Sequence, residues 1–196
     1  MPRLLPLGLD VPAGIAGSET ALALAHEAGA GEFANYDAQI MKLASEMAAV
    51  TDEQWLENTY GGWLWALRPL WERVPGDAAY PPLMQSEAWL RKDLQTGLAS
   101  WTELKHDTVL HIKQPTGFGG GGPPLTSFGY VEPNPLVFAR MAILSGMLAQ
   151  GLEARGFTDD LWAPDSVRRL VEMLRTHSLE SARMAEVARK ELAGEP

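Results

Sequence analysis

The sequence contains no cysteine among its 196 residues, which excludes disulfide bonds, thiolate metal sites and a cysteine nucleophile. Basic residues are also scarce, since 16 lysines and arginines stand against 25 aspartates and glutamates, for a formal net charge of −9. This charge repels phosphate backbones and anionic lipid surfaces, and no run of Lys or Arg offsets it. We therefore predict that the protein does not bind nucleic acid.

The chain also has few long apolar runs, and its N-terminus does not look like an export signal. No run reaches the roughly 18–20 residues that a membrane-spanning helix needs, so we predict no transmembrane segment. The apolar start is broken at Pro6, Asp10 and Pro12, which is unlike the apolar core of a signal peptide.

Apolar residues recur at helical spacing over most of the chain and predict an all-α fold of about five or six helices. Residues 1–17 hold three prolines, and we expect them to form an extended lead-in to a single helical domain at 18–196. A Gly/Pro-rich stretch predicts one long loop at 115–133. The alternative is a small β-hairpin in that loop, with extended residues at 128–131.

Polar residues mark several of the expected helix starts. Thr51-Asp52-Glu53-Gln54 fits a capping box, in which the first and last side chains each bond the other's backbone amide. Asn35 and Asn134 are expected N-caps, and Pro135 suits the first position of a helix. The last helix is expected at about 164–193.

The longest helical pattern covers residues 86–113 and carries an apolar stripe that includes Leu94 and Trp101. Its other face also has apolar residues around His106 and Asp107, and a helix that is apolar on two faces is normally packed on both. We therefore expect this helix to be the central and most buried element. His106 and Asp107 would then need partners inside the fold.

Candidate catalytic residues lie on the same helix, at Glu103, His106, Asp107 and Lys113. Glu103 and His106 form a Glu-x-x-His pair, which is the local signature of carboxylate-bridged di-metal helix bundles, so both are also candidate metal ligands. Such sites need a second pair and further carboxylates, and the chain has a single pair. The alternative interpretation is a polar helix face or a hydrogen-bonded pair between helices.

The remaining polar patterns predict no cofactor. The glycine-rich stretch at 117–124 lacks a following Lys-Ser or Lys-Thr and ends in two prolines, so it does not match a phosphate-binding loop and is expected to be a surface linker. His177 is interpreted as a boundary histidine of the last helix. Glu87, Glu103 and Glu132 leave open a carboxylate pair of the glycosidase type.

Tryptophan is abundant, with seven residues in the chain. Four of them lie between positions 55 and 71, and their spacing places Trp55, Trp63 and Trp71 on one broad helical face, with Trp65 elsewhere. Such aromatics are expected in the core. The alternatives are an interface with another polypeptide or a ligand groove.

Four unusual segments follow one another along the chain: NTYGGWLWALRPL at 58–70, MQSEAW at 84–89, LASWTELKHDTVLHIKQ at 98–114 and GYVEPNP at 129–135. In this order they resemble the large proteins of the family known as domain of unknown function 3160. The resemblance implies that the chain is an internal helical portion of a longer protein. Because many members resemble exported proteins or lipoproteins, it also implies an extracytoplasmic location. It implies no activity.

The sequence therefore favours a non-catalytic structural or protein-interaction module of an extracytoplasmic protein. Its partner would be another protein or the remaining regions of a longer parent. The alternative is part of a hydrolase or metal-dependent enzyme, with a polar site around Glu103, His106, Asp107 and Lys113 that other regions complete.

Overall fold

The computed structural model describes residues 6–74, 80–109, 131–157 and 165–195, and these ranges contain helices and no strand. The α-helices of this described part are α1 (Asp10–Ala16), α2 (Glu19–Glu27), α3 (Tyr36–Ala48), α4 (Asp52–Trp55), α5 (Thr59–Trp71), α6 (Glu87–Val109), α7 (Pro135–Ala154) and α8 (Asp165–Ala193). Short 3₁₀ turns occur at Ala30–Glu32 and Pro82–Gln85. The all-α class is confirmed, with more helices than the five or six expected. Most of the predicted 115–133 loop lies outside the described residues.

The N-terminal segment differs from the extended lead-in that the sequence predicted, because residues 10–16 form α1. Pro12 stands in the first turn, where a missing backbone N–H breaks no helical hydrogen bond. Asp10 accepts a 2.7 Å hydrogen bond from the Tyr36 hydroxyl and so ties α1 to α3. Gly17 ends the helix at a left-handed φ of 64°, a conformation that favours glycine. Pro12 therefore lies in the first turn of a helix and does not prevent it.

Helix α5 is the centre of the fold, since it packs against α1, α4, α6 and α7. Its buried side chains include Leu64, Trp65, Leu67 and Trp71. The tryptophans at 55–71 lie on two helices, since α4 ends at Trp55 and α5 begins at Thr59. Buried positions of Trp55, Trp65 and Trp71, at 7%, 4% and 3% exposure, confirm the prediction that these tryptophans belong to the core.

The prediction that the long 86–113 helix is the most buried element is wrong. Helix α6 buries one side, which carries Leu90, Asp93, Leu94 and Leu104, against α5, α2 and the Pro82–Gln85 turn. Its opposite side, which includes Glu103, is exposed. A helix buried on one side occupies the edge of a bundle, and the more uniformly apolar α5 occupies the middle.

Two of the three predicted helix caps have the expected side-chain bonds. Thr51 accepts from the Gln54 amide at 3.3 Å while Gln54 accepts from the Thr51 amide at 2.9 Å, which completes the capping box. Asn134 accepts from the Val137 amide at 3.4 Å, with proline following as the first helical residue. Asn35 precedes α3 but makes no capping bond, because its φ of 62° is left-handed where a side-chain cap needs extended backbone.

The C-terminal half of the molecule is a hairpin of α7 and α8, which pack along one another more extensively than any other pair of helices in the described chain. Ser178 on α8 donates a 2.8 Å hydrogen bond to the carbonyl of Ala142 on α7. Arg175 and Glu153 form an ion pair of 2.7 Å further along the hairpin. Helix α7 also packs against α5, which joins the hairpin to the rest of the fold.

Candidate functional site

The predicted polar site on the long helix is not assembled among the described residues. Glu103 is exposed, whereas His106 is half-buried and takes part in an interaction. The side chain of Asp107 and the whole of Lys113 lie outside the described residues. No group of three or more His, Asp or Glu side chains in the described part is placed to hold a metal ion. Catalytic or metal-binding roles at these four positions therefore stay predictions.

Two of the three glutamates considered for a glycosidase-type pair bond to basic side chains, and the third, Glu103, is exposed on α6. Glu87 pairs with Arg91 at 3.1 Å on the surface of α6. Glu132, in the segment that leads into α7, pairs with Lys92 of α6 at 2.5 Å. The carboxyl group that meets Glu132 is that of Asp93, which the sequence analysis did not single out.

Lys92, Asp93 and Glu132 form a charged cluster that joins α6 to the segment before α7. The Lys92 ammonium lies 2.9 Å from Asp93 Oδ1, and it also stands 4.0 Å from the centre of the Trp89 ring. Asp93 is 4% exposed. A carboxyl group is thus buried beside a second carboxyl, with one ammonium between them.

This surrounding changes the proton affinity of both helix residues. Burial raises the pKa of the Asp93 carboxyl, and the neighbouring Glu132 raises it further, while Lys92 acts in the opposite direction. Burial opposes the charge on Lys92, but its hydrogen bonds to Glu132 and Asp93 raise its pKa above the ordinary value. Lys92 therefore stays protonated at neutral pH, and Asp93 is the member of the cluster that takes up a proton more readily than usual.

A sequence signal for the buried aspartate does exist. Asp93 lies three residues after Leu90 and directly before Leu94, on the apolar face of α6 that Leu104 continues. A carboxylate inside an apolar stripe is rarely solvated, so it needs a partner within the fold. Spacing alone could have identified Asp93, but it could not identify Glu132 as the partner, because that residue belongs to a distant part of the chain.

A second charged group, Arg140, is half-buried where α7 meets α5. Arg140 donates a 2.7 Å hydrogen bond to the Trp65 carbonyl, and its guanidinium lies 4.5 Å from the centre of the Trp65 ring. The Trp65 indole N–H in turn donates to Asp52 at 2.7 Å. Burial lowers the pKa of Arg140, but a guanidinium stays charged in proteins. The arrangement anchors α7 on α5.

Ser145 and His177 form a polar contact between the last two helices. The Ser145 hydroxyl lies 2.8 Å from the Met141 carbonyl, and His177 Nδ1 lies 2.8 Å from the same hydroxyl oxygen. The pair ties α7 to α8, as expected for a boundary histidine.

The outer face of α7 is apolar and open. We define it by Ile143 and Met147, which are 47% and 42% exposed. No charged residue lies between Arg140 and Glu153. Exposed apolar side chains that adjoin one another on a surface mark interaction sites more often than single exposed residues do.

Two grooves run on either side of Met147. The first has a volume of about 500 Å³, lies toward the junction of α4 and α5, and is lined mainly by Leu56, Leu144, Leu148 and Leu152. The second has a volume of about 350 Å³, lies toward α8, and is lined mainly by Ala142, Gly146, Gln150 and Ser178. Ile143 and Met147 thus form a ridge, one helical turn long, between two grooves.

Helix α7 is, by length and composition alone, apolar enough to cross a membrane, and it is the one such helix in the described ranges. This finding qualifies the prediction of no transmembrane segment. Only 22% of the most apolar stretch of α7 is buried inside the fold, so burial in the core accounts for a small part of its apolar composition. A single helix of this kind is weak evidence for a membrane span. Its contacts with α5 and α8 account for part of its apolar surface, and the outer face is what they leave uncovered.

The chain belongs to the family described as protein of unknown function DUF3160, whose model matches residues 1–196. The expected family membership is thereby confirmed over the whole chain. No curated protein and no solved structure shows a significant match to it. The family description assigns no activity, and it leaves the function of the domain to be inferred from its surface.

Proposed function

We propose that this domain is a protein-interaction module that binds an apolar helix through the outer face of α7. The observation that carries the proposal is the exposed ridge of Ile143 and Met147 between two grooves. Helices pack by placing the ridges of one into the grooves of the other. A ridge flanked by two grooves therefore has the shape that accepts a helix.

The chemistry of the face indicates what kind of helix would fit. The α7 wall of the first groove carries Leu144, Leu148 and Leu152, and the wall toward α4 and α5 carries Leu56 beside Glu57, Asn58 and Thr59. Gln150 and Ser178 supply the polar groups of the second groove. An interface core of this composition favours aliphatic and aromatic side chains and disfavours charged ones. The partner helix is expected to insert one large apolar side chain into the leucine-lined groove, which would make that residue the main source of affinity.

We further propose that the partner belongs to the remaining regions of a longer parent protein, and that this parent is extracytoplasmic. The resemblance of this chain to an internal portion of longer family members supports the first statement. The resemblance of many members to exported proteins or lipoproteins supports the second. A domain that meets its neighbours through apolar helices acts as a structural connector.

The proposal is tested with a labelled designed peptide as the probe, a net-neutral amphipathic helix with leucines at i, i+3, i+4 and i+7. Its binding to the chain is followed by fluorescence anisotropy at physiological salt. The double variant Ile143→Glu/Met147→Glu should weaken binding by at least about tenfold, because each charge must be desolvated in the interface. A peptide of the same composition in scrambled order should not bind.

A matched control carries the same two added charges elsewhere. Met41 and Leu83 are 67% and 62% exposed on α3 and the Pro82–Gln85 turn, so Met41→Glu/Leu83→Glu should bind like the unmodified chain. Equal loss of binding in both variants, or no binding to the unmodified chain, would contradict the proposal. If analytical ultracentrifugation shows that the chain dimerises and that only the α7 variant prevents it, the occupant is a second copy and not a different region.

A further inference from the structure

We propose that Asp93 and Glu132, with Lys92 between them, form a proton-operated clasp that holds the start of α7 on α6 more tightly as the pH falls below neutral. The inference concerns the conformation of the domain and does not depend on the proposed function. Two elements that are distant along the chain, α6 and the segment before α7, are in contact at this cluster. Glu132 lies shortly before the α7 cap, Asn134, and its ion pair with Lys92 fixes this segment to α6.

The three groups differ in their access to solvent. The side chains of Lys92 and Glu132 are 43% and 31% exposed, whereas that of Asp93 is 6% exposed. Lys92 from its own helix and Glu132 from the segment before α7 are the charged groups of the described chain that act on Asp93. When both carboxyls are ionised, two negative charges share one ammonium, and the buried one has lost most of its water.

Protonation of Asp93 removes the repulsion between the two carboxylates. The neutral Asp93 carboxyl can donate its O–H to the Glu132 carboxylate, which keeps its ion pair with Lys92. One repulsive contact between α6 and the segment before α7 is replaced by a hydrogen bond. The contact between the two elements is then stronger with one proton on the pair than with none.

The direction of the pH effect follows from the raised pKa of Asp93, which burial causes in the first place. A carboxyl whose pKa is higher in the folded than in the unfolded chain binds its proton more tightly when folded. Its contribution to stability is fully present below the unfolded value of about 3.9 and is lost as the pH rises through the folded value. The clasp is therefore tighter in mildly acidic than in alkaline solution.

The test compares backbone amide exchange at residues 136–138 of the full chain at about pH 5 and about pH 7.5, after correction for the intrinsic exchange rate. Protection of these amides should rise by a few-fold at the lower pH, since each unit of pKa difference corresponds to a factor of about ten in the equilibrium. Asp93→Asn replaces the ionisable group by a neutral one of the same shape. Its protection should be high and should not change with pH.

Two further measurements separate the clasp from a general effect of acid. Glu87→Gln removes an exposed glutamate of the same helix that is paired with Arg91, and this variant should keep the pH response of the unmodified chain. Carbon-13 NMR of the Asp93 carboxyl should show a titration midpoint above the ordinary range of aspartate. A midpoint at or below that range, or the same pH response in the Asp93→Asn and Glu87→Gln variants, would overturn the proposal.

Discussion

At the scale of single residues, Gly97 on α6 shows how a missing side chain can determine packing. The indole of Trp71, which is 3% exposed, lies directly against its backbone, and a Cβ atom at position 97 would overlap Trp71 Nε1 and come within 2.8 Å of Cε2. Because a buried ring cannot move aside, we expect Gly97→Ala to lower the free energy of unfolding by about 1–3 kcal/mol. The higher helix propensity of alanine, worth about 1 kcal/mol, offsets only part of this cost.

A second helical glycine provides the control for this prediction. At Gly151 of α7 the nearest atom to an added Cβ is Arg155 Nη1, at 3.3 Å, which is the end of a flexible side chain. Gly151→Ala is expected to be neutral or slightly stabilising in urea unfolding. If both variants unfold at the same urea concentration, the tight contact between α6 and Trp71 is not present in solution.

At the scale of elements, the start of the central helix α5 depends on one side chain. Asn58 precedes the helix with extended backbone, and its Oδ1 accepts a 2.8 Å hydrogen bond from the Gly61 amide. Asn58→Ala removes this cap and should cost about 1 kcal/mol of unfolding free energy, measured by urea titration. Asn35→Gly is the contrast, because Asn35 makes no capping bond and has a left-handed φ.

The contrast variant should therefore be neutral or slightly stabilised, since glycine adopts a left-handed φ without the strain of a side chain. If Asn35→Gly lowers the free energy of unfolding as much as Asn58→Ala does, the hydrogen bond from the Gly61 amide to Asn58 is not the cause of the effect at position 58. Sequence reasoning expected an N-cap at Asn35 and did not identify Asn58 as a helix start. Residue type alone could not rank the two asparagines, because only the backbone conformation decides whether the side chain reaches an amide.

Elements also show where periodicity is an incomplete guide to burial. The length and apolar stripe of α6 predicted the central helix, yet α6 covers the core from one side and α5 lies in the middle. Helical period reports which residues share a face, but the number of faces that are covered depends on how many other helices dock on them. The partner of the Asp93 carboxyl, which lies in the apolar stripe of α6, could be identified only from the tertiary structure, where the segment before α7 places Glu132 beside it.

At the scale of the whole molecule, the formal charge of −9 opposes association between copies of the chain, whereas the outer face of α7 favours it. Like charges keep copies apart at neutral pH, and this repulsion disappears as the pH falls toward the isoelectric point. We expect light scattering of the chain to rise over that range, because the apolar face can then meet other copies. Added salt should raise scattering at neutral pH by screening the same repulsion.

The two glutamate variants separate the effect of the α7 face on light scattering from the effect of net charge. Ile143→Glu/Met147→Glu and Met41→Glu/Leu83→Glu add the same number of charges, but only the first pair lies on the outer face of α7. The first should scatter less than the second at equal pH and concentration. Identical curves would indicate that charge alone controls association and that the α7 face has no special role.

The sequence by itself determined the helical class, most helix starts and the family, because hydrophobic period and capping chemistry act over a few neighbouring residues. It also indicated that the tryptophans near α5 belong to the core. Only the tertiary structure decided that α5 is central, that Asp93 meets Glu132, and that one face of α7 is left open. These features depend on which helix faces meet, and that choice is made by burial summed over the whole chain, which no local pattern contains.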